Sequence, residues 1–439
     1  MKAILLVLQS LSVLFLYLPM AGTAVAQESL SFRRALELAA AHSSEMALSG
    51  ADEIRAYQTY LEARNSYVPQ LSVGSNVGYA YGFPLSLEGS APTLFNVNAQ
   101  SLVFNAAQKE FVKAAKAEWR ASKAQSREQR AQVILDTALT YIELYRWEER
   151  VPILRSEMRV VADIESAVGE RIKAGVDSPI EQTKARLTDA QTRVHIAEAE
   201  GAVDILRTRL SQLTGLAAKS IKTLNDSIPR LIENEPEDAA FEQAVKSSSA
   251  VEAAEESAAA KQIRARGEHK ATWYPTADFA AQYGLINTSL TNFEKFFVPG
   301  SFQPHNATFG LVVRLPFLNM SQRAHAAAAD AEALRARKEA EQVKNKAALD
   351  TLKLKHNVQA LSAARDVAQL RSELAQSELQ AAHTRMQAET ATQRELQNAA
   401  VDAAERTLER INAEFQAQRA EVELLRATGE LEKWTTSAK

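Results

Sequence analysis

The sequence has no cysteine among its 439 residues, which excludes a disulfide framework and an N-terminal cysteine that carries a lipid. Proline and glycine are scarce, with 12 and 15 copies, and both are unevenly placed. Residues 318–439 contain no proline and one glycine, Gly429, and residues 105–168 contain one proline, Pro152, and no glycine. Stretches that lack both residues favour long helices.

A large excess of charge of one sign is also missing. The formal net charge is −3, with 24% charged residues, and no block of like charge forms a tail. A protein that binds nucleic acid usually carries a strongly basic patch. We therefore expect no nucleic-acid partner.

The side-chain clusters that carry enzyme chemistry are absent from the sequence pattern. Histidines are scattered at 42, 195, 269, 305, 325, 356 and 383, without metal-ligand spacing. There is no glycine-rich phosphate loop and no plausible nucleophile constellation. The sequence predicts no enzyme activity, no metal site and no cofactor.

One long apolar run is present, and it follows Lys2. It extends from Ala3 to Leu18, and Ala24-Val25-Ala26 supplies a small-residue cleavage site. A transmembrane anchor would need about 20 apolar residues. Residues 1–26 are therefore predicted to be a signal peptide, and the chain to be exported.

Long coiled helices are predicted for most of the remaining chain. A helix over residues 105–174 would be about 100 Å long at about 1.5 Å per residue. Coiled-coil spacing of three and four appears twice, at the positions Val203, Leu206, Leu210, Leu213 and Leu408, Ile411, Phe415. Pro152 is expected to kink its helix.

The chain also repeats itself. Tyr67-Val68-Pro69-Gln70 has a counterpart in Trp273-Tyr274-Pro275-Thr276, and Arg171-Ile172-Lys173-Ala174 has one in Arg385-Met386-Gln387-Ala388. We predict two structural repeats, 27–220 and 241–439, joined by a connector, 221–240. Each contains a helix, two strands, a very long helix, a turn and a helix.

Four segments alternate with the period of a β-strand, at 67–83, 93–104, 273–287 and 305–318. One face is apolar and aromatic, and the other is small or polar. The only formal charges in these segments, Asp278 and Arg314, lie on the polar face. A tilted strand of a membrane barrel needs about 9–11 residues, and a cation that faces lipid at its midplane costs about 2–4 kcal/mol. A soluble β-sandwich would alternate too, but is not usually placed between such long helices.

Four strands are too few to close a membrane barrel, and open edges leave unpaired backbone groups in lipid. The chain is therefore predicted to oligomerise. Two copies would supply eight strands around a filled interior, and three would supply twelve around a water-filled lumen. The apolar face would then contact lipid and the polar face water.

The signal peptide, the repeat, the paired strands after a proline-containing helix end and the turn Gly175-Val176-Asp177-Ser178-Pro179-Ile180-Glu181-Gln182 together resemble the TolC-like outer-membrane efflux family. The resemblance covers essentially the whole mature chain. It implies a mainly α fold with a membrane β-barrel. In that family, each chain of a homotrimer gives four strands to a twelve-stranded barrel and long helices to a periplasmic α-barrel.

The resemblance also implies a function. The family forms the exit duct of a tripartite efflux or type I secretion system, in the outer membrane of a Gram-negative-type bacterium. Its partners are outer-membrane lipid, a periplasmic adaptor and an inner-membrane pump. The lack of cysteine resembles the non-lipidated branch. The competing hypothesis is a periplasmic coiled-coil adaptor or scaffold without a pore, although the duplicated strand pairs argue against it.

Candidate functional residues follow from these implied positions. The turns between the long helices are predicted to be the periplasmic tip that docks the adaptor, although each also fits an ordinary helix hairpin. These residues are Gly175, Val176, Asp177, Ser178 and Pro179 in the first turn, and Glu389, Thr390, Ala391 and Thr392 in the second.

An entrance constriction is predicted just past the tip, at Glu181, Glu395 and Asn398. We expect Glu395 to form a ring of carboxylates that attracts cations, and an ordinary capping or solvated role fits it equally well. The family's closed state uses a Tyr and an Arg where this chain has Met386 and Ala391, which argues against such a latch.

Two extracellular loops are predicted, at 84–92 and about 288–304. The second contains Phe293, Phe296, Phe297 and Phe302. Both a hydrophobic lid and an anchor in the outer leaflet fit these residues.

Overall fold

A computed structural model describes residues 28–82, 92–176, 178–224, 227–228, 246–388 and 390–432. The predicted signal peptide, most of the predicted connector, and Asp177 and Glu389 lie outside these residues. The helices are α1 Phe32–His42, α2 Ser44–Asn65, α3 Ala106–Lys173, α4 Pro179–Thr214, α5 Ser249–Trp273, α6 Met320–Gln387 and α7 Gln393–Thr428. The strands are β1 Glu28–Leu30, β2 Gln70–Asn76, β3 Thr93–Asn105, β4 Ile221–Thr223, β5 Thr276–Ile286 and β6 His305–Arg314.

Two compact units make up the chain. The first unit comprises Met1–Ser43, Asp136–Leu231 and Ala364–Arg419, and the second comprises Ser44–Leu135, Ile232–Ala363 and Ala420–Lys439. Each unit takes residues from both of the repeats predicted from the sequence. The very long helices α3 and α6 contribute to both units.

The second unit contains a four-stranded sheet with the order β2-β3-β5-β6. All of its neighbouring strands are antiparallel. The strands of the first predicted pair, β2 and β3, are neighbours, and so are those of the second pair, β5 and β6. The two pairs join between β3 and β5.

Three of the four strands are shorter than predicted. The first, predicted at 67–83, is a strand only over Gln70–Asn76, and its register shifts between Gly74 and Asn76. The third starts at Thr276, because α5 continues to Trp273 and Pro275 cannot donate a ladder hydrogen bond. The fourth ends at Arg314, two residues before Pro316. The second, Thr93–Asn105, differs from its prediction by one residue.

The register gives the sheet two chemically distinct faces. One row across all four strands contains Ser72, Asn98, Gln282 and Thr308. The adjacent row, on the opposite face, contains Leu71, Ala99, Ala281 and Phe309. Strand alternation therefore places polar side chains beside polar ones and apolar beside apolar across the sheet.

The long helices form where proline and glycine are scarce. Helices α3 and α6 each contain 68 residues. Helix α3 stays helical through Pro152, so the kink predicted there does not divide the helix. Proline removes one backbone donor, and the rest of a helix of this length tolerates that loss.

A short parallel pair in the first unit was missed by the sequence analysis. Strand β1 pairs with β4, with Leu30 beside Thr223. The buried Tyr141 of α3 stabilises this strand pair. Its hydroxyl donates to the Leu30 carbonyl at 2.6 Å and accepts from the Leu224 N–H, directly after β4, at 2.8 Å. Three-residue strands are too short to show an alternating pattern. The first three residues of the predicted connector 221–240 form β4.

Within the described residues, no helix combines the length and the apolar character needed to cross a membrane.

Helices α3 and α5 pack closely in the second unit around a buried carboxylate. A Cβ atom added at Gly267 would lie 2.6 Å from Cε1 of Phe111, so only glycine allows this approach. The neighbouring Glu110 side chain is 7% exposed and accepts hydrogen bonds from Lys270 at 2.8 Å and Lys113 at 3.1 Å. The bond from Lys270 is the main reason that the pKa of Glu110 lies below its ordinary value.

We expect Glu110→Gln to reduce the free energy of unfolding at neutral pH by about 1–3 kcal/mol. A carboxyl group whose pKa is lowered in the folded state stabilises the protein above its unfolded pKa of about 4.3, and this stabilisation is lost as the pH falls. Thermal unfolding followed by circular dichroism at pH 7 and pH 4 measures both effects, and the variant should differ least at pH 4.

The matched control is Glu341→Gln, which removes an exposed ion pair with Lys338. Exposed pairs contribute about 0–1 kcal/mol. Equal unfolding temperatures for both variants at pH 7 would contradict a stabilising role for Glu110.

Candidate functional site: the two-faced sheet and the helix turns

The apolar face of the sheet is open to its surroundings in a single chain. On β6, the exposed fractions are 81% for Phe309, 58% for Leu311 and 57% for Val313. Leu71 and Val73 on β2 are also exposed. A contiguous apolar surface of this kind marks contact with a partner or a membrane.

An ion pair lies on the opposite face. Arg314 donates to the carboxylate of Asp278 at 2.5 Å. The Asp278 side chain is 13% exposed, whereas that of Arg314 is 65% exposed. Because Arg314 lies beside Thr276 in the register, the two charges share the polar face and neutralise each other. Both positions were predicted from the sequence, but their contact was not.

Both outer strands of this sheet have one unpaired side. Among the described strands, β2 pairs with β3 alone and β6 with β5 alone. An unpaired edge presents a row of backbone donors and acceptors that another strand can bind. The sheet of a single chain is therefore open at both ends.

The first helix turn lies in the first unit, between α3 and α4. Gly175 has a φ of 74°, and its N–H donates to the Ile172 carbonyl at 2.9 Å. A left-handed residue at this position ends a helix, as glycine does readily. Ser178 precedes Pro179, the first residue of α4, but its side chain makes no capping hydrogen bond. Ser178 is therefore not a side-chain cap, and Pro179 takes the first helical position, where proline is favoured.

The second turn, also in the first unit, lies between α6 and α7. The Thr392 hydroxyl accepts a hydrogen bond from the Glu395 N–H at 3.2 Å. This contact is the threonine half of a capping box, a pattern in which a glutamate follows the capping threonine by three residues. Thr390 and Ala391 connect the two helices.

The three predicted entrance residues have different surroundings. Glu181 accepts from Lys184 at 2.9 Å, so its charge is partly neutralised. Glu395 is exposed. Asn398 lines a cavity of about 330 Å³ together with Ala185 and Thr188 of α4. The structure therefore brings Asn398 close to α4, one turn beyond Glu181.

A second cavity of about 460 Å³ in the first unit was not foreseen. It lies between α3, α6 and α7, and its lining includes Pro152 and Glu157. Burial raises the pKa of Glu157, while nearby His195 lowers it and Glu405 raises it further. A glutamate on a long helix has no sequence signal that separates this position from a solvated one.

In the described part of the chain, no group of three or more His, Cys, Asp or Glu side chains is placed to hold a metal ion.

Comparison with known proteins relates the second half of the chain to a protein family. Residues 241–430 match the family model for outer membrane efflux proteins. A sequence search of curated proteins finds no match. The chain is similar to the outer membrane protein VceC from Vibrio cholerae, with 17% identity, a TM-score of 0.71 and coverage of 91% of this chain and 96% of that chain.

Two further solved structures show the same fold. The MtrE outer membrane channel from Neisseria gonorrhoeae has 14% identity, a TM-score of 0.72 and coverage of 94% of both chains. The Campylobacter jejuni CmeC outer membrane channel has 15% identity, a TM-score of 0.72 and coverage of 91% of this chain and 85% of that one. The mainly helical fold with barrel strands predicted from the sequence is thereby confirmed. Residues 241–430 are therefore similar to outer membrane efflux proteins, and the chain shares the fold of solved outer-membrane channels along more than nine-tenths of its length.

Proposed function

We propose that three copies of this chain form one continuous duct, closed in the outer membrane as a twelve-stranded barrel. The observation that carries the proposal is the sheet, which has two open edges and one exposed apolar face. Lipid suits the apolar face, but the open edges are not stable there unless further copies pair them. Eight strands from two copies would leave an interior that side chains fill, whereas twelve leave room for water.

In this assembly the apolar face, with Phe309 and Leu311, contacts lipid, and the polar face lines the lumen. The lumen would contain rings of uncharged Asn98, Gln282 and Thr308 side chains. The Asp278–Arg314 pairs would add no net charge. A periplasmic scaffold would have no use for an exposed apolar sheet face.

The two helix turns are the proposed docking surface for a periplasmic adaptor, which connects the duct to an inner-membrane pump. Gly175 and Pro179 shape the first turn, and Thr392 caps the helix after the second. Asn398 and Glu395 follow the second turn on α7 and are the proposed entrance residues. Glu181 contributes less negative electrostatic potential there, because Lys184 donates a hydrogen bond to its carboxylate.

The duct itself is proposed to act as a passive conduit without a catalytic step. VceC, CmeC and MtrE are outer membrane proteins or channels. Energy for export would come from the pump.

Fractionation and electrophoresis test the assembly. We expect the protein in the outer membrane, with a band near three times the monomer mass that converts to the monomer on heating. Reconstitution in a planar bilayer should add ionic conductance. A freely soluble protein, or one that is stably monomeric in detergent, would contradict the trimeric duct.

A further inference from the structure

The segment after β2 is joined to the loop between β5 and β6, whereas most of the predicted first loop, at 84–92, lies outside the described residues. The Ala80 N–H donates to the Leu290 carbonyl at 3.1 Å, and Ala80 forms an isolated parallel bridge with Thr291. The Gly82 N–H donates to Oδ1 of Asn292 at 2.9 Å. The segment after β2 therefore binds the loop between β5 and β6.

This junction has a hydrophobic core of its own. Ile286 and Phe293 are 3% and 5% exposed, and Ala80 and Phe302 pack against them. Phe302 also contacts Phe297, with ring centroids 5.3 Å apart. The buried Phe293 indicates that the loop between β5 and β6 holds a defined conformation.

The side of the sheet on which this core lies follows from the register of β5. Strand β5 pairs with β6 residue by residue from Thr276 to Leu285 without a bulge. Even-numbered residues of β5 therefore share one face. Ile286 is the last of them, so it lies on the face of Asp278 and Gln282. The core built on Ile286 covers the end of the polar face, not the apolar one.

We propose that residues 80–82 and 288–302, the loop cap, fold over the polar face and narrow the outer mouth of the duct. This inference rests on the proposed function, in which the polar face lines the lumen. Three copies would bring three caps together around one opening. Of the two interpretations open for the second loop, the geometry supports the lid.

A single cysteine on the polar face tests the cap, because the natural sequence has none. Thr308 is exposed on that face, and Ala307 points to the opposite one. Whole cells that express Thr308→Cys or Ala307→Cys are treated with a membrane-impermeant maleimide, and the labelling rate is measured. The same measurement is made with Phe293→Ala, Asn292→Ala or Val298→Ala added.

Phe293→Ala removes a buried side chain of the cap and should raise the rate at Thr308→Cys about tenfold or more. Asn292→Ala removes only the acceptor for the Gly82 N–H, and a smaller increase is expected. Val298→Ala, at a side chain that is 74% exposed in the same loop, should leave the rate unchanged. Heat-resistant trimer bands verify that each variant assembles. If Phe293→Ala does not assemble, the labelling rate with Asn292→Ala decides the result.

The two proposals fail in different ways. Suppose that Thr308→Cys labels faster than Ala307→Cys, but that its rate is the same in every assembled variant. The proposed duct is then supported and the proposed cap is wrong. If the two cysteines label alike in all variants, the polar face does not line an aqueous passage, and the duct is overturned as well.

Discussion

Phe309→Arg is expected to abolish assembly of this protein in the outer membrane. Phe309 lies near the middle of β6 and is 81% exposed, in one row with Ala281, Ala99 and Leu71. A cation at the lipid-facing midplane costs about 2–4 kcal/mol, and in the proposed trimer each of three chains bears that cost. The measurement is the amount of heat-resistant trimer in the outer-membrane fraction.

The neighbouring residue provides the control. Thr308→Arg places the same charge one position away on the opposite face, beside Gln282. There the guanidinium would reach water, so assembly should be close to normal. Equal losses for both variants would show that the two faces do not meet different media.

Asp278→Asn should change the ion selectivity of the open duct. The substitution leaves the Arg314 guanidinium without the carboxylate that it contacts at 2.5 Å. Three unpaired cations around one lumen raise the local anion concentration. We expect the anion-to-cation permeability ratio to rise on the order of twofold or more. The reversal potential in a planar bilayer with a KCl gradient measures this ratio.

Companion variants separate charge from structural damage. Arg314→Gln leaves three carboxylates and should shift the ratio towards cations, whereas the double variant Asp278→Asn/Arg314→Gln should restore the original value. The shifts should shrink at high salt, since screening shortens the range of the charges. A reversal potential that is the same in all four proteins would exclude these residues from the conducting path.

Several features of the molecule are predictable from local sequence patterns. Alternation in Leu71–Val73 and in Phe309–Val313 assigns residues to an apolar and a polar face, because strand side chains alternate whatever the strand pairs with. Glycine at 175 and threonine at 392 locate the ends of helices, because their effects on the backbone reach only one turn. The fold class followed from these local patterns and from the resemblance that they supported.

The ends of the strands, and the short strands themselves, were harder to predict from the sequence. The first strand was predicted to reach residue 83, since its alternation continues through Tyr79 and Tyr81. In the structure, the chain leaves the sheet after Asn76, and Ala80 binds the other loop instead. The pattern persists there because Ala80 packs inwards while Tyr79 and Tyr81 are 72% and 78% exposed.

By itself, the sequence determined which residues are helical, which face of each strand is apolar, and where the long helices turn. Only the tertiary structure decided that Arg314 neutralises Asp278, that Tyr141 holds Leu30 beside β4, and that the loop core lies on the polar face. The physical reason is the separation along the chain over which each effect acts. Periodicity and turn propensities act between residues a few positions apart. These contacts depend on strand register and on residues 36 and 111 positions apart in the chain.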